Sequence, residues 1–223
     1  MLAAVLAVCA GVWAFVELAA WVSDESTREL ELKFMRSLRD AKDPHLPAGP
    51  FWIMEVMRDI TALGGALVVI TLSTLVIIYL ALRKRWTRVA LLLVTVVSGY
   101  ALSHGLKNTF DRPRPDVVPH LAEVRSASFP SGHSMMASLI YITLGALLAQ
   151  ATDRRREKIF FLTVAFVLSG MIGLSRVYLG VHYPTDVLAG WCAGTAWALA
   201  CWLVARRARV RRQEAQPTSE AAS

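Results

Sequence analysis

The sequence predicts an all-α, polytopic membrane protein, a bundle of six transmembrane helices with an amphipathic segment between the first two. Three observations predict it. Of 223 residues, 55% are hydrophobic, and mean hydropathy is +0.46. The apolar residues fall into runs near the ~20 residues a helix needs to cross a bilayer. Charged residues separate those runs, and the basic ones cluster beside them.

The first run, residues 2–22, is interrupted by Glu17. It lacks the basic flank of a signal peptide and is longer than the usual apolar region of one, so it is expected to be a retained span. A carboxylate there is costly in lipid, so Glu17 is expected to face other helices. The remaining spans are expected at about residues 60–82, 89–106, 134–151, 159–174 and 187–204. Residues 1–212 then form one domain, and the polar tail 213–223 is expected to be disordered.

Residues 23–59 separate the first two spans. Leu30, Phe34, Met35 and Leu38 recur there at helical spacing among charges. Pro44, Pro47, Gly49 and Pro50 break the chain. Phe51, Trp52, Ile53, Val56 and Met57 follow and suit an anchor lying in the interface. The segment reads equally as a lipid entrance and as a cover for the bundle.

The basic clusters set orientation. Arg83, Lys84, Arg85 and Arg88 follow the second span, and Arg154, Arg155, Arg156 and Lys158 follow the fourth. Arg206, Arg207, Arg209, Arg211 and Arg212 follow the sixth. With six spans all three clusters share one face, which the positive-inside rule places in the cytoplasm with both termini, in an inner (plasma) membrane. This placement accounts for the net charge of +7, and no nucleic-acid-binding module is present, so nucleic acid is excluded as a partner. Cys9, Cys192 and Cys201 each lie inside an apolar run and read as small buried hydrophobes. Nothing in the sequence speaks to oligomeric state.

The opposite face gathers the chemistry. Lys107 and Arg114-Pro115 end the third span, Pro130-Ser131-Gly132-His133 opens the fourth, and Ser175-Arg176, His182 and Asp186 bridge the fifth and sixth. Ser131 or Gly132 can cap the fourth span, whose first turn then offers free backbone N–H groups to an anion. Asp186 lies one helical turn after His182 and can hold one ring nitrogen, leaving the other free to attack. Lys107, Arg114 and Arg176 supply cations for phosphate oxygens. Span-end snorkelling explains one such cation. It does not explain three cations, two histidines and a carboxylate on one face. These features alone leave open which histidine attacks.

The pattern K-x6-R-P, P-S-G-H, S-R-x5-H-x3-D resembles that of the type 2 phosphatidic acid phosphatases, a family related to the vanadium haloperoxidases. Every spacing is met, from Lys107 through Asp186. The resemblance implies that His182 is the nucleophile, that Asp186 orients it, and that His133 protonates the leaving oxygen and then activates water. It implies that Lys107, Arg114, Arg176, Ser131 and the amide of Gly132 bind phosphate. It implies hydrolysis of a lipid phosphate or diphosphate, such as undecaprenyl pyrophosphate, phosphatidate or phosphatidylglycerol phosphate, at the outer membrane surface. Lipid A hydrolysis and phosphotransfer to another acceptor are the alternatives. Fixed side-chain cations make a metal unnecessary, and no cofactor is expected. A transporter is disfavoured because the polar groups sit at span ends rather than in mid-bilayer.

Overall fold

The computed structural model describes residues 1–122 and 126–214. Among the described residues there are eight helices and no strand: α1 (Leu2–Ser23), α2 (Arg28–Ser37), α3 (Phe51–Ala62), α4 (Ala66–Leu82), α5 (Trp86–Phe110), α6 (Gly132–Ala149), α7 (Arg155–Tyr178) and α8 (Pro184–Glu214). Five of them, α1 and α5 to α8, are long and apolar enough to cross a membrane. A sixth span arises only if α3 and α4 are taken together across a 45° bend.

That bend departs from the single helix expected from about residue 60. The chain breaks at Leu63-Gly64-Gly65, where two successive glycines are poor helix formers. Gly64 is also wedged against its neighbours, and a Cβ there would come within 2.5 Å of Ile172 and 3.4 Å of the His133 carbonyl. The break thus lets the chain pass close to α6 and α7.

The central helix is α6. Of its apolar window 61% is buried, against 11% for α1. It packs mainly against α7 and α8. Its hydroxyls are satisfied locally: Ser138 donates to the Met135 carbonyl and Thr143 to that of Leu139, so burying them leaves no orphan polar group. Small residues on α8 allow close approach. A Cβ on Gly194 would lie 2.3 Å from the Met135 carbonyl oxygen, and one on Gly190 2.7 Å from that of Ser131. Close approach between membrane helices is what small residues permit. Here it sets the first turn of α8 beside that of α6, with the Ser131 amide donating to the Asp186 carbonyl at 2.9 Å.

One end of the bundle therefore collects the end of α5, the start of α6, the end of α7 and the start of α8. The last turns of α1 close it, with Leu18, Ala19 and Val22 packed on Phe129 and Ala189. At the opposite end Leu80, Leu91 and Leu147 pack with Trp202 and Ala205. The basic turns after α4 and α6 and the end of α8 lie there. Glu17 is half-buried on α1. Cys9 is exposed on that helix, while Cys192 and Cys201 are half-buried. The end of α8 reaches Glu214, two residues into the expected tail, and residues 215–223 lie outside the described residues.

The segment after α1 is a helix, a loop and a second helix. On α2, Met35 is fully buried and Leu38 packs with it. Leu30 and Phe34, expected on the same apolar face, are 72% and 48% exposed. The inward position is taken by Glu31 instead, which is 4% exposed. On α3, Ile53, Met54 and Met57 pack against Leu179 and Val181, while Phe51, Trp52 and Val56 are exposed.

Candidate active site

Four chain segments meet at the α6–α8 end around a cavity of about 530 Å³. Lys107, Arg114, Gly132, His133, Arg176 and His182 all line it, so the three sequence motifs converge on one space.

His182 lies in the short turn between α7 and α8, a turn made possible by Gly180 at φ +76. A Cβ at Gly180 would also strike the guanidinium of Arg39 and the Pro119 carbonyl. The ring of His182 is fully buried at its back. Its Nδ1 lies 3.3 Å from Oδ2 of Asp186, while Arg114 Nη1 lies 3.2 Å from its Nε2. A guanidinium can only donate, so Nε2 accepts and carries a lone pair, and Nδ1 carries the proton and donates to Asp186. Burial pushes the pKa of His182 down to about 4 despite the opposing pull of Asp186, so the ring is neutral at neutral pH. A neutral imidazole with an unprotonated nitrogen toward a cationic cavity is a competent nucleophile.

Asp186 sits in the first turn of α8 with no solvent exposure. Its Oδ2 accepts from the Tyr183 amide at 2.9 Å and from the hydroxyl of Ser128, and its Oδ1 accepts from Arg112 at 2.6 Å. A fully hydrogen-bonded carboxylate of this kind stays ionised and holds one position.

The three cavity cations come from three elements. Lys107, in the last turn of α5, donates to the Ala127 carbonyl at 2.7 Å. Arg114 donates through Nε to the Ser126 carbonyl at 2.8 Å and through Nη1 to that of Val181 at 2.6 Å. Arg176, 3% exposed at the end of α7, donates to Thr61 of α3 at 3.1 Å, and its buried Nε has no partner among the described residues. Among the described residues none of the three is ion-paired. Desolvated, unpaired cations are costly, and an anion in the cavity would relieve that cost.

His133 occupies the second position of α6, at the mouth of its free N–H groups. Ser131 behaves differently from the other expected phosphate ligands. It is fully buried, its Oγ accepts from the Ser134 amide and hydroxyl, and it does not line the cavity. It caps the helix, while Gly132 faces the cavity, where a Cβ would meet the Lys107 side chain at 3.3 Å.

The PAP2 superfamily sequence profile matches residues 88–209, more than half of the chain. This chain belongs to the PAP2 superfamily. It is 38% identical over 148 residues to phosphatidylglycerophosphatase B of Bacillus subtilis (strain 168), covering 64% of this chain and 70% of that protein. It is 34% identical over 102 residues to undecaprenyl-diphosphatase BcrC of the same organism, 43% of this chain and 46% of that one. Among solved structures, the transmembrane PAP2-type phosphatidylglycerolphosphate phosphatase from Bacillus subtilis superposes with a TM-score of 0.76 at 30% identity, over 90% of this chain and 96% of that one. As a PAP2 protein with phosphatase relatives, this chain is a multi-span membrane enzyme that hydrolyses phosphoric esters.

Several residues of this PAP2 site carried no role in the sequence reading. Ser128 and Arg112 hold Asp186, Thr61 holds Arg176, and Glu31 holds Arg112. Arg112 stands inside the first motif, two positions before Arg114, so its place was visible but its direction was not. His104 lines the cavity with Asn108 and Asp111. The spacing of His104, three residues before Lys107, is the sequence signal that could have found it on this side of α5.

Proposed function

We propose that this chain hydrolyses the phosphate ester or diphosphate of a membrane lipid, without a metal, through a phosphohistidine on His182. The observation that carries the reading is the lone pair of a neutral, carboxylate-backed His182 facing a cavity lined by three cations, none of them ion-paired among the described residues. Nε2 attacks phosphorus, the N–P bond forms, and the bond to the leaving oxygen breaks. His133, in its protonated form, delivers a proton to that oxygen. A water then attacks the phosphohistidine, His133 takes its proton, and phosphate leaves with Nε2 restored. Lys107, Arg114, Arg176 and the first amides of α6 hold the phosphoryl oxygens and the charge that develops on them. A water-accessible cavity at the end of the spans suits a lipid whose headgroup lies at the membrane surface. Phosphatidylglycerol phosphate and undecaprenyl pyrophosphate are the first substrates to test, because the two relatives bear those names.

We take the far end of the bundle and both termini as cytoplasmic and the site as lying on the extracytoplasmic side of the plasma membrane, a reading that the basic turns at the far end support. Residues 1–212 act as one domain.

The test is phosphate release by detergent-purified protein from a panel of lipid phosphates with EDTA present. Release from one of them, lost in His182→Ala, is the expected result. Release that EDTA abolishes, or that survives in His182→Ala, would refute the mechanism.

A further inference from the structure

The motif residues leave two buried charges unaccounted for, Glu31 and Arg39, and Glu31 is the one bonded to Arg112 at the site. Glu31 stands on α2, outside residues 88–209, in a segment that reads from sequence as a cover or entrance. Met35 faces inward with Leu38 packed on it, as a cover requires, but Glu31 also faces in at 4% exposure while Leu30 and Phe34 face out, and a cover does not need that charge. Each of its oxygens is used. Oε2 accepts from Arg112 Nη2 at 2.7 Å. Oε1 accepts from the Thr185 amide at 3.0 Å and from the Thr185 hydroxyl. Arg112 is gripped from three sides: Nη1 donates to Asp186 at 2.6 Å and to the Thr185 hydroxyl at 2.9 Å, Nη2 donates to Glu31, and its face lies 4.0 Å from the ring centre of Tyr183. Burial disfavours the Arg112 cation, but Asp186 and Glu31 outweigh it and hold its pKa above the ordinary guanidinium value. Both routes from Glu31 end on the first turn of α8, at Thr185 and Asp186.

Resting on the phosphohistidine reading of His182, we propose that Glu31 is a positioning residue for the reaction. Through Arg112 and Thr185 it locks the carboxylate of Asp186, and Asp186 in turn locks the ring of His182. The α2 segment is then part of the catalytic apparatus rather than a lid over it. A two-pronged guanidinium is needed at the middle of this chain, because an ammonium is a point charge and cannot grip two carboxylates in fixed geometry. Burying charges stabilises a fold poorly compared with apolar packing, so the energetic cost of the trio is matched to orientation, not to holding α2 down.

The test uses full-length Glu31→Gln, Arg112→Gln, Arg112→Lys and the Glu31→Gln/Arg112→Gln double variant, with wild-type turnover in the same assay. Each single loss should lower kcat by about tenfold to a hundredfold, the range seen when a partner orienting a reactive ligand is removed, with KM little changed. Arg112→Lys should fall between wild type and Arg112→Gln. The double variant should be no slower than Arg112→Gln, because the two groups act through one chain.

A readout that mere loosening would not move is the acid limb of kcat/KM. The charged and titratable groups around His182 are Lys107 of α5, Arg114 of the following loop, His133 of α6, Arg176 of α7 and Asp186 of α8. Removing the Arg112 cation leaves Asp186 a stronger partner for the imidazolium, so the limb moves to higher pH. Removing the Glu31 anion moves it to lower pH. Folded variants with wild-type kcat, losses that multiply in the double variant, or limbs that move the same way would overturn the proposal while active wild-type enzyme keeps the site reading intact. Should Arg112→Gln fail to accumulate, the near-isosteric Glu31→Gln decides alone: a wild-type kcat refutes, a loss with unchanged KM supports.

Discussion

The two ends of the bundle carry the same residue types in opposite circumstances. At the end opposite the site, Arg83, Lys84, Arg85, Arg154, Arg155, Arg156, Lys158, Arg206 and Arg207 are all exposed. At the site end, Arg112 and Arg176 are 12% and 3% exposed, and Asp186 and Glu31 are buried with them. Solvated charges interact weakly with one another and matter through their number and side of the membrane. Desolvated charges interact strongly, so their geometry matters atom by atom. A cation count describes topology at one end and chemistry at the other, and burial is what separates the two.

That contrast breaks most easily at Asp186. Asp186→Asn should lower kcat by about a thousandfold to ten-thousandfold, as for the orienting carboxylate of a serine-protease triad, with the protein still folded. The amide cannot accept from Ser128, Tyr183, Arg112 and His182 together. Steady-state kinetics on the preferred lipid phosphate checks this, and a fall below about tenfold would place the site end among ordinary solvated charges.

Arg176→Lys ranks next. It keeps the charge but loses the planar fork, one N–H of which is buried without a partner among the described residues. A loss of about a hundredfold to a thousandfold in kcat/KM is expected, the scale of removing one donor from a charge-stabilising site. An equal charge in solvent would make the two residues interchangeable, so near-wild-type activity would refute the desolvated reading of this end.

The pH profile sharpens the same comparison. Burial depresses the pKa of His182 to about 4, so its reactive neutral form is present above that pH and is lost as pH falls through it. On this limb kcat/KM at pH 5 should keep about nine tenths of its plateau, where an ordinary imidazole of pKa about 6.5 would keep about three hundredths. The basic limb belongs to kcat, where the negative charge of the bound phosphate among the cavity cations holds the proton on the general acid His133, and loss of that proton gives the falling side of a bell. An acid limb near pH 6.5 would mean that water reaches His182 freely.

How much of this was legible in the sequence follows from the same physics. Five spans could be placed because helix length and apolar runs are local properties, and the three motifs could be assigned to one end by counting spans. The break at Gly64-Gly65 was not placed, because what makes it useful is the contact with Ile172 and His133, far along the chain. Leu30, Phe34 and Met35 fit a helical face by spacing, but a periodic pattern cannot say that Glu31 has Arg112 and Thr185 waiting for it. Ser131 shows the same limit within a motif, since phosphate ligand and helix cap both put a serine before Gly132, and its cap on the Ser134 amide is seen only in the fold. Residues that touch phosphate stand in recognisable strings. Residues that hold those residues are scattered over α2, α3 and the loop before α6.

The smallest effect is expected at Arg154, and it is the control on the whole comparison. Arg154 lies 3.4 Å from Glu157, with the two side chains 84% and 42% exposed. Water screens the pair, and holding two long side chains together costs entropy, so little net attraction is left. Glu157 also has a second partner in the Thr152 hydroxyl, so it stays capped when the arginine goes. Arg154→Gln should therefore leave kcat and KM within about twofold of wild type. Removing Arg154, Arg155, Arg156 and Lys158 together should instead act on the side of the membrane at which this turn resides, read by accessibility of a cysteine placed in it, because the clusters act by sum. A large kinetic loss from Arg154→Gln alone would mean that a fully solvated charge at one end controls geometry at the other, and burial would no longer be what distinguishes them.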